Sequence, residues 1–269
     1  MPLASSPGTR RSSPLAEAEQ REVTRLCIHT ALVLMQHGAE SALIESLSRR
    51  LGLALGVDRV EAGVFANCIV LTTLSARYCI TTVRRSEDRG INMHVVTEVQ
   101  HAVLEVEAGS LDAERYRAQV EGIVPFHYPR WLVSIAIGLS CASFARLAGA
   151  DWTGCGVVVV ASGLAMYLRL LVARLHFSPV VNFFTTAFVA TSVAGLSEVL
   201  KLGGTPTIAL ASCVLLLVPG FPLINGVSDM VKGYMSTGIA RLAYATLLTV
   251  ASCAGILLAM SLFNLWGLP

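Results

Sequence analysis

Between residues 20 and 37 the apolar positions Val23, Leu26, Cys27 and Leu34 recur at helical spacing, which predicts an amphipathic helix. Gly38 is a natural stop for it. Ser41 is placed to cap a second helix, whose apolar face is Leu43, Ile44, Leu47 and Leu51. From Asp58 the period shortens to two. Val60, Ala62, Val64 and Ala66 recur at every second position, and Cys68–Leu74 and Tyr78–Val83 are apolar and β-branched. With a turn at Ser75-Ala76-Arg77, these stretches predict two or three antiparallel strands. Arg84–Gly90 reads as a charged loop. The helical period returns in Ile91, Val95, Val99 and Val103, and again over Leu111–Ile123. The first half therefore reads α-α-β-β-β-α-α, a compact α+β domain.

The second half changes texture. Five long apolar segments cover about 131–149, 153–173, 179–200, 206–231 and 238–266. Each is near or above the ~20 residues that cross a bilayer. Trp131, Trp152 and Trp266 stand at segment ends, where amphipathic rings favour the membrane interface. The fourth segment is interrupted over 219–222, because Pro219 and Pro222 each lack an N–H. The predicted fold class is a membrane protein. A disordered tail covers 1–18, a cytoplasmic α+β N-terminal domain covers 19–128, and a five-helix transmembrane bundle with one broken helix covers 129–269.

Charge follows the same division. Mean hydropathy is +0.64. Of 38 charged side chains, 29 lie in residues 1–130. There acids and bases nearly balance, so no nucleic-acid partner is expected. Residues 1–18 are rich in Ser, Pro and Ala and lack the apolar core of a signal peptide. Seven scattered cysteines form no C-x-x-C pair and read as reduced, buried small hydrophobes, without a disulfide framework or zinc site. Arg130, Arg169, Arg174, Lys232 and Arg241 lie at one set of segment ends. Arg146 and Lys201, beside Asp151 and Glu198, lie at the other. The excess of basic residues places the first set inside. The expected location is a bacterial inner membrane, with the N-terminal domain cytoplasmic and the C-terminus periplasmic or extracellular. An odd number of spans also suits one half of an inverted-repeat transporter.

The candidate substrate path gathers at the broken segment, in Pro219, Gly220, Pro222, Asn225, Ser228 and Asp229. A half-helix starting at Pro222 would present its N-terminus to a carboxylate; a plain proline kink is the alternative. Asp229 reads either as a proton-active acid in the bundle or as a solvated acid beside Lys232. Asn182, Thr185 and Thr186, with Thr191 and Ser192 beyond, form a polar stripe that lines a path or bonds helix to helix. Arg169 and Arg174 read as snorkelling topology anchors rather than substrate ligands. His94, Glu98 and His101 share a helix face, and Glu98–His101 has the E-x-x-H spacing of metal bundles. Without partner helices this is a solvated polar face, and no metal is expected. His37-Gly-Ala-Glu-Ser41 brings His, Glu and Ser together but lacks a G-x-S-x-G elbow. It reads as a helix-turn-helix corner, and no catalytic residue is assigned. With no P-loop there is no case for ATP, and no cofactor is expected.

The stretch LVPGFPLINGVSDMVKGYMSTGIARL (Leu217–Leu242) resembles the membrane signature of the threonine/serine exporter family. Thr24–Ser41 and Arg89–Gln100 resemble that family's soluble half. The likeness covers about residues 20–266, with motifs of both halves in the family's order, and is nearest the larger subunit of its split, two-component branch. Fused members carry twice as many membrane helices, so the resemblance implies a smaller membrane partner subunit of the same family. It also implies export of small hydroxy-amino acids or, in the split branch, dicarboxylates such as succinate. The positions carried over are the break at Pro219–Pro222 with Asn225 and Asp229, and the corner at His37–Ser41. The expected function is a subunit of an inner-membrane secondary exporter for a small carboxylate metabolite. A membrane-anchored hydrolase or a metabolite-sensing scaffold using the cytoplasmic domain are the alternatives.

Overall fold

The computed structural model describes residues 15–87, 89–200 and 203–265. Lys201 and Trp266 lie outside them, as do the first fourteen residues of the expected tail. The chain divides into two compact units. One comprises residues up to Phe126 together with Ile224–Arg241; the other comprises His127–Leu223 and the chain from Leu242 onward.

In the first unit, α1 (Glu17–Gln36) and α2 (Ser41–Ala54) precede strands β1 (Arg59–Val64), β2 (Cys68–Leu74) and β3 (Cys79–Arg85), followed by α3 (Met93–Glu107) and α4 (Ala113–Glu121). The helix starts inside the stretch expected as tail, because Leu15 is buried and anchors the entry to α1. The antiparallel sheet has the order β1-β2-β3. Val60 pairs with Thr73, and Leu74 with Cys79. Side chains alternate across a strand, so Ile69, Leu71 and Thr73 of β2 share the inward face. They meet an α1 face made by Val23, Leu26, Cys27, Ala31 and Leu34.

Several polar atoms in this core find partners, while the buried Gln20 Oε1 has none among the described residues. Gln20 Nε2 donates to the carbonyls of Thr73 and Tyr78, each at 3.1 Å. The Thr24 and Thr73 hydroxyls bond at 2.6 Å, and Tyr116 Oη bonds Thr30 Oγ1 at 2.6 Å. Burial pushes the Tyr116 phenol up. β3 runs through Arg85, into the stretch expected as a charged loop. It is an edge strand with no fully buried residue, so charged side chains fit its solvated faces.

The second unit is helical. Its elements are α5 (Arg130–Leu147), α6 (Trp152–Arg174), α7 (Pro179–Val199) and α8 (Pro206–Cys213), followed by a 3-10 turn at Leu215–Leu217. Two more helices, α9 (Gly220–Val231) and α10 (Met235–Leu262), complete the chain. α5 and α6 form a tight hairpin. Gly149 takes φ +96°, and Asp151 caps α6 by accepting from Gly154 N at 3.3 Å. The Thr153 hydroxyl, then that of Thr205, holds the Asp151 carboxyl far below the usual carboxylate range. At Gly138 an added Cβ would stand 2.7 Å from the Val159 carbonyl, so this glycine lets the two helices approach. Ala161, Ala165, Ala190, Ala194 and Cys213 pack together fully buried, the small-residue contact of helices in lipid. Outward positions such as Ile135, Leu139, Val160 and Leu164 are exposed and apolar.

Among the described residues, four helices are long and apolar enough to cross a membrane: α5, α6, Pro179–Ser197 of α7, and α10. A fifth is reached only if Pro206–Leu217 and Gly220–Val231, bent by 58° at their break, count as one span. The second half-helix begins at Gly220, earlier than the Pro222 start expected from sequence. The first turn of a helix has orphan N–H groups in any case, so Pro222 sits inside that turn without losing a bond.

Candidate functional site

Gly38, with φ +88°, turns the chain between α1 and α2. The corner it makes is fastened by backbone bonds from Asn92 N to the His37 carbonyl at 3.1 Å and from Arg89 N to the Gln36 carbonyl at 3.2 Å. Residues 224–241 supply the other side of the site, within the same unit. Asn225, Ser228, Asp229 and Lys232 recur at i, i+3, i+4 and i+7 and share one face of α9.

Each of these side chains engages the corner. Asn225 Nδ2 donates to the Gly38 carbonyl at 2.9 Å. Ser228 Oγ donates to Glu40 Oε2 at 3.0 Å, and Lys232 Nζ donates to Glu40 Oε1 at 2.6 Å. Asp229 is fully buried. Its Oδ1 accepts from Ser41 N and its Oδ2 from Ser41 Oγ, both at 2.9 Å. Arg241 Nη1 lies 3.0 Å from Asp229 Oδ2, a charge pair whose N–H is not aligned for a hydrogen bond. Its Nη2 donates to the Ala39 carbonyl at 2.9 Å. Thr237 Oγ1 donates to the Val64 carbonyl at 2.7 Å, and Tyr234 Oη donates to Glu45. The Lys232 ammonium, with help from Ser228, holds the Glu40 carboxyl below its ordinary value.

The corner corrects one expectation. Ser41 is the first residue of α2, not its cap. The capping position belongs to Glu40, whose side chain makes no cap bond. The α2 N-terminus is instead satisfied by Asp229, 188 residues further along the chain. A carboxylate there answers both an orphan N–H and the positive end of the helix dipole. The corner also does not form a serine–histidine pair. His37 Nδ1 bonds the Val33 carbonyl at 2.8 Å, while the Ser41 hydroxyl faces Asp229.

The other candidates lie in the second unit. Pro219 is buried and Gly220 half-buried. Gly220 N donates to the Val218 carbonyl at 2.8 Å and Leu223 N to the Pro219 carbonyl at 3.2 Å, so the first turn of α9 keeps few free donors. Asn182 Nδ2 donates to the Arg169 carbonyl at 3.1 Å. Thr185 and Thr186 both donate to the Asn182 carbonyl, at 3.1 and 2.7 Å. Arg169 does not snorkel outward. Its Nη1 donates to the Leu216 carbonyl at 3.2 Å, in the 3-10 turn before the break, and its guanidinium lies 4.3 Å from the Phe183 ring centre. Freed backbone groups at membrane depth need such partners. Sequence reasoning named Glu40 only as part of the corner and Arg241 only as a segment-end charge, and passed over Tyr234. The polar stripe on α9 signalled that something faces it, but no local period links α9 to Arg241 across the turn at Gly233.

Long apolar helices joined through small residues, with a further pair of helices bent by 58° at a break between Leu217 and Gly220, define a helical membrane protein carrying a small α+β unit. The chain belongs to the threonine/serine exporter family: residues 25–263 match the family model described as "Putative threonine/serine exporter" (ThrE). It is 52% identical over 250 residues to the "Probable succinate transporter subunit YjjP" of Escherichia coli strain K12, covering 93% of this chain and 98% of that one. Identity to the protein of the same name from Klebsiella aerogenes is 53% over 252 residues, with the same coverage. A "Probable threonine/serine exporter" of Mycobacterium tuberculosis is 26% identical over 259 residues, which are 94% of this chain but 48% of that protein. No solved structure gives a significant match.

Proposed function

We propose that this chain is one subunit of a secondary exporter in a bacterial inner membrane, moving a small carboxylate metabolite together with a smaller membrane partner of the same family. The substrate class is a succinate-like dicarboxylate, or threonine and serine. One observation carries the reading: nearly the whole chain corresponds to about half of a longer protein named as an exporter. Relatives matched almost end to end are named as subunits. A half-transporter needs its complement, and an odd span count would let a second half enter with opposite topology. In this reading residues 19–128 are cytoplasmic and 129–269 hold the membrane part, with 224–241 fastening the corner. Asn225, Ser228 and Asp229 serve as that fastening. The substrate path runs by Pro219, Gly220 and Pro222 and the Asn182–Thr186 stripe.

The test is export from vesicles loaded with labelled succinate, threonine or serine. This chain and the smaller partner are reconstituted singly and together. Export is expected only from the pair. Full export by the lone chain would remove the need for a partner, and a pair that exports no carboxylate would overturn the transport reading.

A further inference from the structure

Three polar groups on the α5–α6 hairpin do not fit a purely structural role. Gly138 meets Val159, and Gly163 meets the Ser134 carbonyl, so residues of the two antiparallel helices stand level when their numbers sum to about the same value. Extended by one turn, this register puts Arg130 level with the turn of α6 that carries Arg169. Arg130 Nη2 and Ser134 Oγ are buried, and neither has a hydrogen-bond partner among the described residues. They stand at i and i+4, on one face of α5. Arg169 has five N–H donors, and its one hydrogen bond among the described residues is to the Leu216 carbonyl.

Buried donors without acceptors are rare, and each one calls for an explanation. Arg130 is the first residue of α5 and Arg169 lies near the end of α6, both half-buried, and a partly desolvated guanidinium costs free energy unless an anion faces it. Among the described residues of this unit, the acid whose side chain is placed, Asp151, is not near enough to serve. Asp151 lies at the opposite end of α6, eighteen residues or about 27 Å from Arg169, and its carboxylate is taken by Thr153, Thr205 and the turn. Leu216 holds Arg169 at the break, where the helix is interrupted, and Phe183 covers one face of the guanidinium.

We propose that Arg169, with Arg130 and Ser134, is the carboxylate-binding site of the transported substrate, and that two guanidinium groups select a dianion over a zwitterion. This rests on the exporter reading. Arg169 supplies a paired hydrogen-bond fork to one carboxylate. Arg130 supplies charge for the other, and the Ser134 hydroxyl donates beside it.

The test compares succinate with succinamate, which has the same length but carries an amide in place of one carboxylate. Both are measured with the complete two-subunit complex in phosphatidylcholine vesicles. Wild type is expected to prefer succinate, and Arg169→Gln to raise the succinate KM by about 10- to 150-fold while largely erasing that preference. Arg169→Lys should keep part of it. A structural prop would lower transport of both compounds equally, so an unchanged ratio in Arg169→Gln overturns the assignment and leaves the exporter reading standing. A wild-type complex that moves neither compound overturns both. Folding of the variant is bypassed by a wild-type measurement, the rate of phenylglyoxal modification at Arg169 read by mass spectrometry. Succinate should slow it and succinamate should do so weakly. No protection by succinate in transport-active vesicles refutes the site. Protection by anionic lipid without succinate gives the pair to phosphate headgroups and refutes it equally.

Discussion

Removing the Asp229 charge while keeping its shape is the sharpest test of the corner. Asp229 is wholly buried, and the Arg241 side chain paired with it is 18% exposed. Asp229→Asn leaves one acceptor oxygen for Ser41 but strands the guanidinium without its counter-charge. Breaking a buried pair from one side costs about 3–5 kcal/mol, a large fraction of the stability of an ordinary domain. Ser41→Ala takes away only the hydroxyl bond to the carboxylate and leaves Ser41 N bonded, so about 1.5–3 kcal/mol is expected. Because both changes act on one carboxylate, the double mutant should fall short of additivity by about 0.5–3 kcal/mol. The assay is thermal melting of the purified protein in detergent, with hydrogen exchange at the first amides of α2 reporting the corner itself. A proton-carrying Asp229 predicts the opposite pattern: Asp229→Asn melts like wild type and loses only pH-driven export. An Asp229→Asn protein with unchanged melting and unchanged exchange at Ser41 would refute the fastening.

Three further outcomes are expected. Glu40 is held below its ordinary value chiefly by Lys232, so the pair stabilises fully above the ordinary carboxylate range and is lost as pH falls through the lowered value. Lys232→Gln should therefore lose stability at neutral pH and move the acid side of the melting profile upward, a small shift because both side chains are partly solvated. Burial pushes the Cys27 thiol up to about 12, while Cys79 is exposed. A maleimide should label Cys79 in folded protein and reach Cys27 only on unfolding. A reporter fused after Pro269 should be active only outside the cytoplasm and one placed near Ser110 only inside; the same side for both would refute the odd span count.

Most of the architecture was legible because it is set by local period. β2 alternates since one face carries Ile69, Leu71 and Thr73 into the core, and α1 repeats every three to four residues since one face covers the sheet. Long apolar runs gave the candidate spans for the same reason. The errors lie where a partner comes from far along the chain. A serine before an apolar helix reads as a cap by local rule, yet Asp229 reached the α2 N-terminus first and left Ser41 inside the helix. Hydropathy treats Arg169 as a charge near a segment end. The 3-10 turn frees the Leu216 carbonyl, and that acceptor turns the guanidinium inward.

The sequence offers the α9 residues as a substrate path and Arg169 as a topology anchor; the hydrogen bonds separate the two groups differently. Asn225, Ser228 and Asp229 on α9 and Lys232 just past it form a polar stripe, which the sequence offers as a substrate path or as a solvated face. In the structure each has a partner in the corner. A side chain whose hydrogen bonds are already made must break them to take a substrate, and its net gain shrinks accordingly. Arg130 and Ser134 carry buried donors with no partner among the described residues, and Arg169 makes one hydrogen bond from a five-donor group. A carboxylate arriving there replaces no existing bond and answers an uncompensated charge. On the proposal above, the free donors assign binding to the α5–α6 hairpin, and the made hydrogen bonds assign fastening to α9.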